Sequence, residues 1–206
     1  YDNSIKDYLP FEPLSYQEQI VRALSREEQD RVSTRWSDAY HPYYDLALKL
    51  YEVKQPVTYS VRYSILTEKE ADKLFRSLCR IGGRRGWFYY NWLWRLRGAI
   101  DRILLGVGTI RGRKSYSHLK LNDVVDFFRV EDIRENESLL LRAEMKIPGR
   151  AWLEFNIKEE AGKRRLSVIA YYNTQSLSGK IYWYACLVLH HFLFQKLLIG
   201  IEDKAK

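Results

Sequence analysis

The chain has 206 residues, enough for one medium domain with an appendage or for two small ones. Hydrophobic residues make up 46% of it and aromatics 15%, including 16 Tyr and 6 Trp, so a sizeable core is affordable and half-buried aromatic walls are expected. The net charge is +8, but the basic residues are scattered among 26 acids, the pattern of a solvated surface rather than of a nucleic-acid stripe.

Residues 1–55 read as a helical connection. Ser15-Tyr-Gln-Glu18 has the reciprocal capping spacing, with Ile20, Val21 and Leu24 following on one side. Ser25-Arg-Glu-Glu28 is a second cap signal, and a further helix is predicted from about His41 to Val53, ended by Gln55-Pro56. The start, Tyr1-Asp-Asn-Ser-Ile-Lys6, has no apolar run of a secretory signal and no initiating Met, which predicts a piece of something longer.

The compact domain is expected over residues 56–206. Val57 to Leu66 is β-branched and aromatic and predicts a strand. Thr67-Glu-Lys-Glu70 caps a helix with Ala71, Leu74, Leu78 and Ile81 at helical spacing, and Gly82-Gly83 stops it. A third helix, Trp92 to Leu105, is expected to bury Leu93, Leu96, Ile100, Ile103 and Leu104. Strands are predicted at Asp123–Val130, Ser138–Ile147, Ala151–Glu159 and Arg165–Thr174. A long apolar helix, Ser178 to Ile201, closes the chain, with apolar residues nearly all the way round it, which fits burial against layers on both sides. Its length matches the roughly 20 residues of a membrane span. His190, His191, Gln195 and Lys196 in its middle argue for a helix gripped by the sheet, with membrane contact the lesser reading. Consecutive antiparallel strands curling around one long helix make an α+β domain.

Few motifs carry chemistry. Gly106-Val-Gly-Thr-Ile-Arg-Gly-Arg113 fails the dinucleotide spacing, because Arg111 stands at the sixth position, and it follows a helix; this piece is not expected to bind NAD or NADP by itself. Arg97 and Asp101 are four apart and can pair, either as a surface ion pair or at the mouth of a pocket. If strands pair across Pro148-Gly149, Glu144 and Glu154 share a face with Arg142 and Trp152. That face is either solvated or the lining of a cavity, and the two carboxylates are either tied to Arg142 and Arg150 or a general acid/base pair. Asp126 carries the same ambiguity. His190-His191 cannot both face one metal and no third ligand is spaced for them, so His190 reads as a hydrogen-bonded core histidine and no metal is expected. Cys79 and Cys186 read as buried reduced thiols, which fits the cytoplasm.

Several segments together carry a resemblance: Thr34-Arg-Trp-Ser-Asp-Ala39, Arg80-Ile-Gly-Gly83 with Gly86-Trp87, Trp92 to Gly98 with Asp101-Arg102, Asn122 to Asp126, Pro148-Gly-Arg-Ala-Trp-Leu-Glu-Phe155, and Gly179 to Tyr184. The chain resembles the C-terminal domain of unknown function of bacterial two-domain proteins of the short-chain dehydrogenase/epimerase type. The resemblance implies a missing N-terminal domain that binds NAD or NADP and holds the hydride chemistry, with residues 1–55 as the connection from it or its tail. It also implies a helix-grip fold similar to the START and birch-pollen-allergen superfamily, which commonly holds a hydrophobic ligand between a curved antiparallel sheet and a long C-terminal helix. On that reading the apolar body of a small hydrophobic ligand lies against Trp152, Tyr182 and Trp183, its polar end meets Arg97, Asp101, Glu144 or Glu154, and Asp126 and His190 are further candidate ligand-binding residues. The resemblance supplies no reaction and no catalytic residue. The competing reading is an interaction domain with a filled core, whose long helix mediates a homodimer or membrane contact. A cavity of roughly 300 Å³ or more beside that helix separates the two.

Overall fold

The computed structural model describes residues 14–28, 50, 57–108, 113 and 118–206. The chain divides into two compact units, Tyr1–Arg35 and Trp36–Lys206. The described part of the first is helix α1, Tyr16–Glu28. Its start has the capping box expected from Ser15 and Glu18: Glu18 N donates to Ser15 Oγ at 3.3 Å and Ser15 N donates to Glu18 Oε2 at 2.9 Å. Ser25 to Glu28 lies inside α1, so this second cap signal starts no helix. The helix expected from about residue 41 to 53 lies outside the described residues, Leu50 apart, as does the 34–39 segment of the resemblance.

The second unit is built on one antiparallel sheet. Its strands are β1 (Tyr59–Thr67), β2 (Val124–Val125), β3 (Phe128–Arg134), β4 (Ser138–Ala143), β5 (Arg150–Glu160) and β6 (Lys163–Asn173), in spatial order β1-β6-β5-β4-β3-β2. Hairpins join β3 to β6 in sequence, and β1 crosses over to pair with the last strand, Tyr59 opposite Tyr172 and Thr67 opposite Arg164. Alternation along the strands separates two faces. The face with Val61, Tyr63, Leu141, Leu153, Phe155, Leu166 and Val168 belongs to the hydrophobic core. Helix α4, Leu177–Asp203, packs across it, against β1 and β6. Two shorter helices, α2 (Ala71–Leu78) and α3 (Asn91–Ile103), lie between β1 and β2 in the chain. A curved sheet gripping one long terminal helix is the α+β arrangement that the order of elements predicted and the helix-grip fold that the resemblance implied.

Four local expectations are corrected. Asp123–Val130 is not one strand: Asp126 takes a positive φ of 55° and turns the chain between β2 and β3. Thr67 ends β1 and accepts from Lys69 N, while α2 begins after Glu70 with no side-chain cap. Helix α3 buries Trp94, Gly98 and Asp101 rather than its aliphatic stripe, and Ile103 is 79% exposed. Trp94 wins that face because it stacks on Trp87, with ring centroids 4.3 Å apart, and lies beside Phe127 and Phe128. Finally, α4 is not sandwiched. Ile181, Tyr184, Val188 and Phe192 form an exposed stripe on its outer side. The helix is long and apolar enough to cross a membrane by length and composition alone.

Candidate functional site: a cavity between sheet and helix

The core face of the sheet carries Ala143, Ala151 and Ala170 where its neighbours are Leu, Val and Tyr. Three methyl groups cannot reach the helices above them. The space left is a cavity of about 420 Å³, floored by these alanines and Leu153 and walled by α3 and α4. Tyr182, Cys186 and His190 follow one another at four-residue spacing on α4 and so face the cavity together. Leu93 and Arg97 face it from α3. Beside it Trp183 stacks on Tyr172, centroids 5.7 Å apart and planes 6° off parallel, and on Tyr59 at 5.5 Å.

The polar groups of this wall are few. Arg97 lies 4.0 Å from the Asp101 carboxylate and places its Cζ 6.0 Å from the centre of the Tyr182 ring. Its Nε and Nη1 are buried with no hydrogen-bond partner among the described residues. His190 packs between Trp183 and Phe194, its Nδ1 likewise buried and unpartnered. Burial pushes the imidazole down to about 4, so it is neutral at pH 7. This corrects the expectation of a hydrogen-bonded core histidine. Burial also pushes the Tyr182 hydroxyl up to about 12, against a smaller pull from Arg97, and raises the Cys186 thiol. The cavity wall therefore sets a neutral imidazole, a protonated phenol and a protonated thiol around the buried cation Arg97 and its counter-charge. Neither cysteine is in a disulfide; Cys79 is buried, as expected, while Cys186 is half-buried. No cluster of three metal-ligating side chains occurs among the described residues.

Arg97, Tyr182, Trp183 and His190 of the expected site residues come together around this space, and Trp152 borders it from β5 although its indole N–H bonds on the opposite face. The others are placed elsewhere. Asp101 is fully buried behind Arg97 and accepts from Gly108 N at 2.8 Å and from Lys146 N at 2.5 Å, tying α3 to the loop after it and to the β4–β5 connection. Asp126 accepts from Trp87 Nε1 at 2.9 Å and from Gly83 N at 3.1 Å, and burial raises its pKa; it pins the Gly82–Gly86 loop to the β2–β3 turn. Gly82, at φ 81°, needs that left-handed conformation, and a Cβ there would strike Val125 Cγ1.

Glu144, Glu154 and Trp152 belong to the opposite face of the sheet. Arg142 sits opposite Trp152 in the ladder and opposite Arg129 on its other side. These residues form a buried network: Arg129 Nε donates to Glu144 Oε1 at 2.6 Å, Arg142 Nη2 donates to the same oxygen at 3.1 Å, and Arg142 Nη1 lies 3.6 Å from Glu131 Oε2. Trp152 Nε1 donates to Glu131 Oε2 at 2.9 Å, and Leu50 N reaches Glu131 Oε1. Glu154 instead accepts from Tyr171 Oη at 2.7 Å, and burial followed by that bond pushes the tyrosine up to about 12. The two glutamates are thus not an acid/base pair. Each is bound to its own partners, with Glu144 held between two arginines. For Glu144 this is the alternative in which the carboxylate is tied to Arg142, inside a buried ion network that also takes in Arg129, Glu131 and Trp152, while the half-buried Glu154 is tied to Tyr171.

The alanine floor was not singled out in the sequence, and Leu93 and Cys186 were read there as a core residue and a buried thiol rather than as cavity wall. A signal existed: alanines on three strands at core-face positions, where bulky residues were expected.

Among solved structures, the fold is similar to CalU16 from Micromonospora echinospora, with 10% identity over 71% of this chain and 83% of that one and a TM-score of 0.35. Protein MLL2253 from Mesorhizobium loti aligns at 9% identity over 70% of this chain and 98% of that one, TM-score 0.40. Ara h 8.0201 aligns at 12% identity over 71% and 97%, TM-score 0.37. No curated protein matches the chain by sequence. Residues 55–197, which span the sheet, all its intervening helices and most of α4, match the family described as protein of unknown function DUF2867. The chain belongs to the DUF2867 family.

Proposed function

We propose that this chain is a binding module for a small hydrophobic molecule, held between the core face of the sheet and helix α4. The observation that carries the reading is the cavity of about 420 Å³, within the range of small-molecule sites and lined almost wholly by apolar groups. The same cavity argues against an interaction domain with a filled core. The chemistry of a reaction, if the whole protein performs one, belongs in this proposal to a companion domain that binds NAD or NADP; the sequence motifs quoted above are the support for that part.

The test is direct. Native mass spectrometry of the purified chain is expected to detect a co-purified apolar compound, and Nile red is expected to bind saturably. Ala143→Trp, which fills the floor of the cavity, is expected to abolish Nile red binding while the folded signal persists. Absence of both a bound compound and saturable dye binding in the wild-type chain would remove the proposal.

A further inference from the structure

The chemical class of the ligand can be narrowed from the charges that face the cavity. Arg97 is the cation of its wall, and the Asp101 carboxylate lies 4.0 Å behind it, so the pair is balanced. Asp101 accepts one backbone N–H on each oxygen and is fully buried outside the lining of the space. Lys146 also borders the cavity, but it is an exposed residue whose charge solvent screens. His190, Tyr182 and Cys186 are all uncharged at pH 7. The interior is therefore neutral as a whole. It nevertheless holds buried N–H groups on Arg97, Nε and Nη1, that nothing among the described residues accepts from. Such donors are costly to leave unmade and are satisfied by an acceptor on whatever fills the space.

We propose that the cavity selects an uncharged hydrophobic molecule carrying one carbonyl oxygen, as in an ester or a ketone, which accepts from the guanidinium of Arg97. A carboxylate is disfavoured there: Asp101 already balances Arg97, and Lys146 is exposed, so a second anion among the apolar groups of the wall would lack a buried counter-charge. A plain hydrocarbon fills the volume and leaves the Arg97 donors unsatisfied. This inference rests on the proposed binding of a hydrophobic molecule and adds the sign of its charge and its one polar contact.

The experiment compares methyl decanoate, decanoate and decane at pH 8, by displacement of Nile red and by quenching of the tryptophan emission of the 206-residue chain. The expected order is methyl decanoate tightest, with about a ten-fold or larger advantage over both decanoate and decane. In Arg97→Met the advantage of the ester over decane is expected to vanish, and in Arg97→Lys to persist in part. The comparison in the wild-type chain stands even where a variant fails to fold. Equal binding of all three, or tighter binding of decanoate, would overturn the carbonyl assignment and leave the binding module intact. Binding of none of them, with Nile red also failing to bind, would overturn both.

Discussion

His190 places an ionisable group where its charge has no solvent and no partner. Its ordinary pKa near 6.5 falls to about 4 because burial penalises the imidazolium. The unfolded chain then takes up a proton that the folded chain refuses. The associated stability is complete above pH 6.5 and is lost as pH falls through that value toward 4. The expected loss across this window is about 2–3 kcal/mol. Urea unfolding of the wild-type chain and of His190→Phe at matched pH values checks it. The variant is expected to lack most of this drop, and parallel curves for the two proteins would refute the assignment. Asp126 has the opposite sign: its raised pKa makes the ionised, folded form the disfavoured one as pH rises. The pair therefore shows why the comparison with a variant is needed, since the whole chain's pH profile mixes both. Arg97 and His190 were legible as residues of interest because they interrupt apolar helices. That they meet on one cavity, while Glu144 and Glu154 do not, was not legible.

Among the elements, α4 depends on how it begins. Ser176 is the N-cap, and its Oγ accepts from Gly179 N at 3.0 Å. Gly179 lets this first turn lie on Pro148, because a Cβ there would collide with Thr174 Oγ1 and the Pro148 carbonyl. The Pro148-Gly149 turn, the end of β6 and the start of α4 are thus one joint, completed by Thr174 Oγ1 donating to Pro148 O at 2.7 Å. Ser176→Ala is expected to cost about 1 kcal/mol in chemical denaturation, and a change indistinguishable from zero would mean that the joint alone holds the helix start. Helix α3 teaches the converse. Its aliphatic stripe at positions 96, 100, 103 and 104 reads as the core face, yet those residues are exposed and Trp94 and Asp101 are inside. Periodicity shows that a helix has two faces; the packing of Trp94 on Trp87 and the N–H groups aimed at Asp101 determine which one is buried.

For the molecule as a whole, the sheet separates two interiors of different chemistry. One face closes over an apolar core with a cavity in it. The other buries two arginines and two glutamates that bridge β3 and β4. Removing one partner from such a network leaves an uncompensated buried charge, so Glu144→Gln is expected to cost about 3–5 kcal/mol in thermal or urea unfolding. Glu160→Gln removes an exposed pair with Arg165 at the β5–β6 turn and is expected to change nothing measurable. Similar effects of the two substitutions would show that the network is hydrated rather than buried.

The order of strands and helices, apart from the turn at Asp126 that splits one expected strand in two, the Ser15 cap and the gripped terminal helix were all determined by the sequence alone. Each follows from local rules: alternation, helical spacing, turn residues and caps act over a few neighbouring positions. The partners across the sheet, the buried face of α3, the ion network and the cavity were decided only by the tertiary structure. A space is defined by what does not reach it, and three alanines from three separated stretches of chain leave that space only once the sheet has brought them beneath one helix.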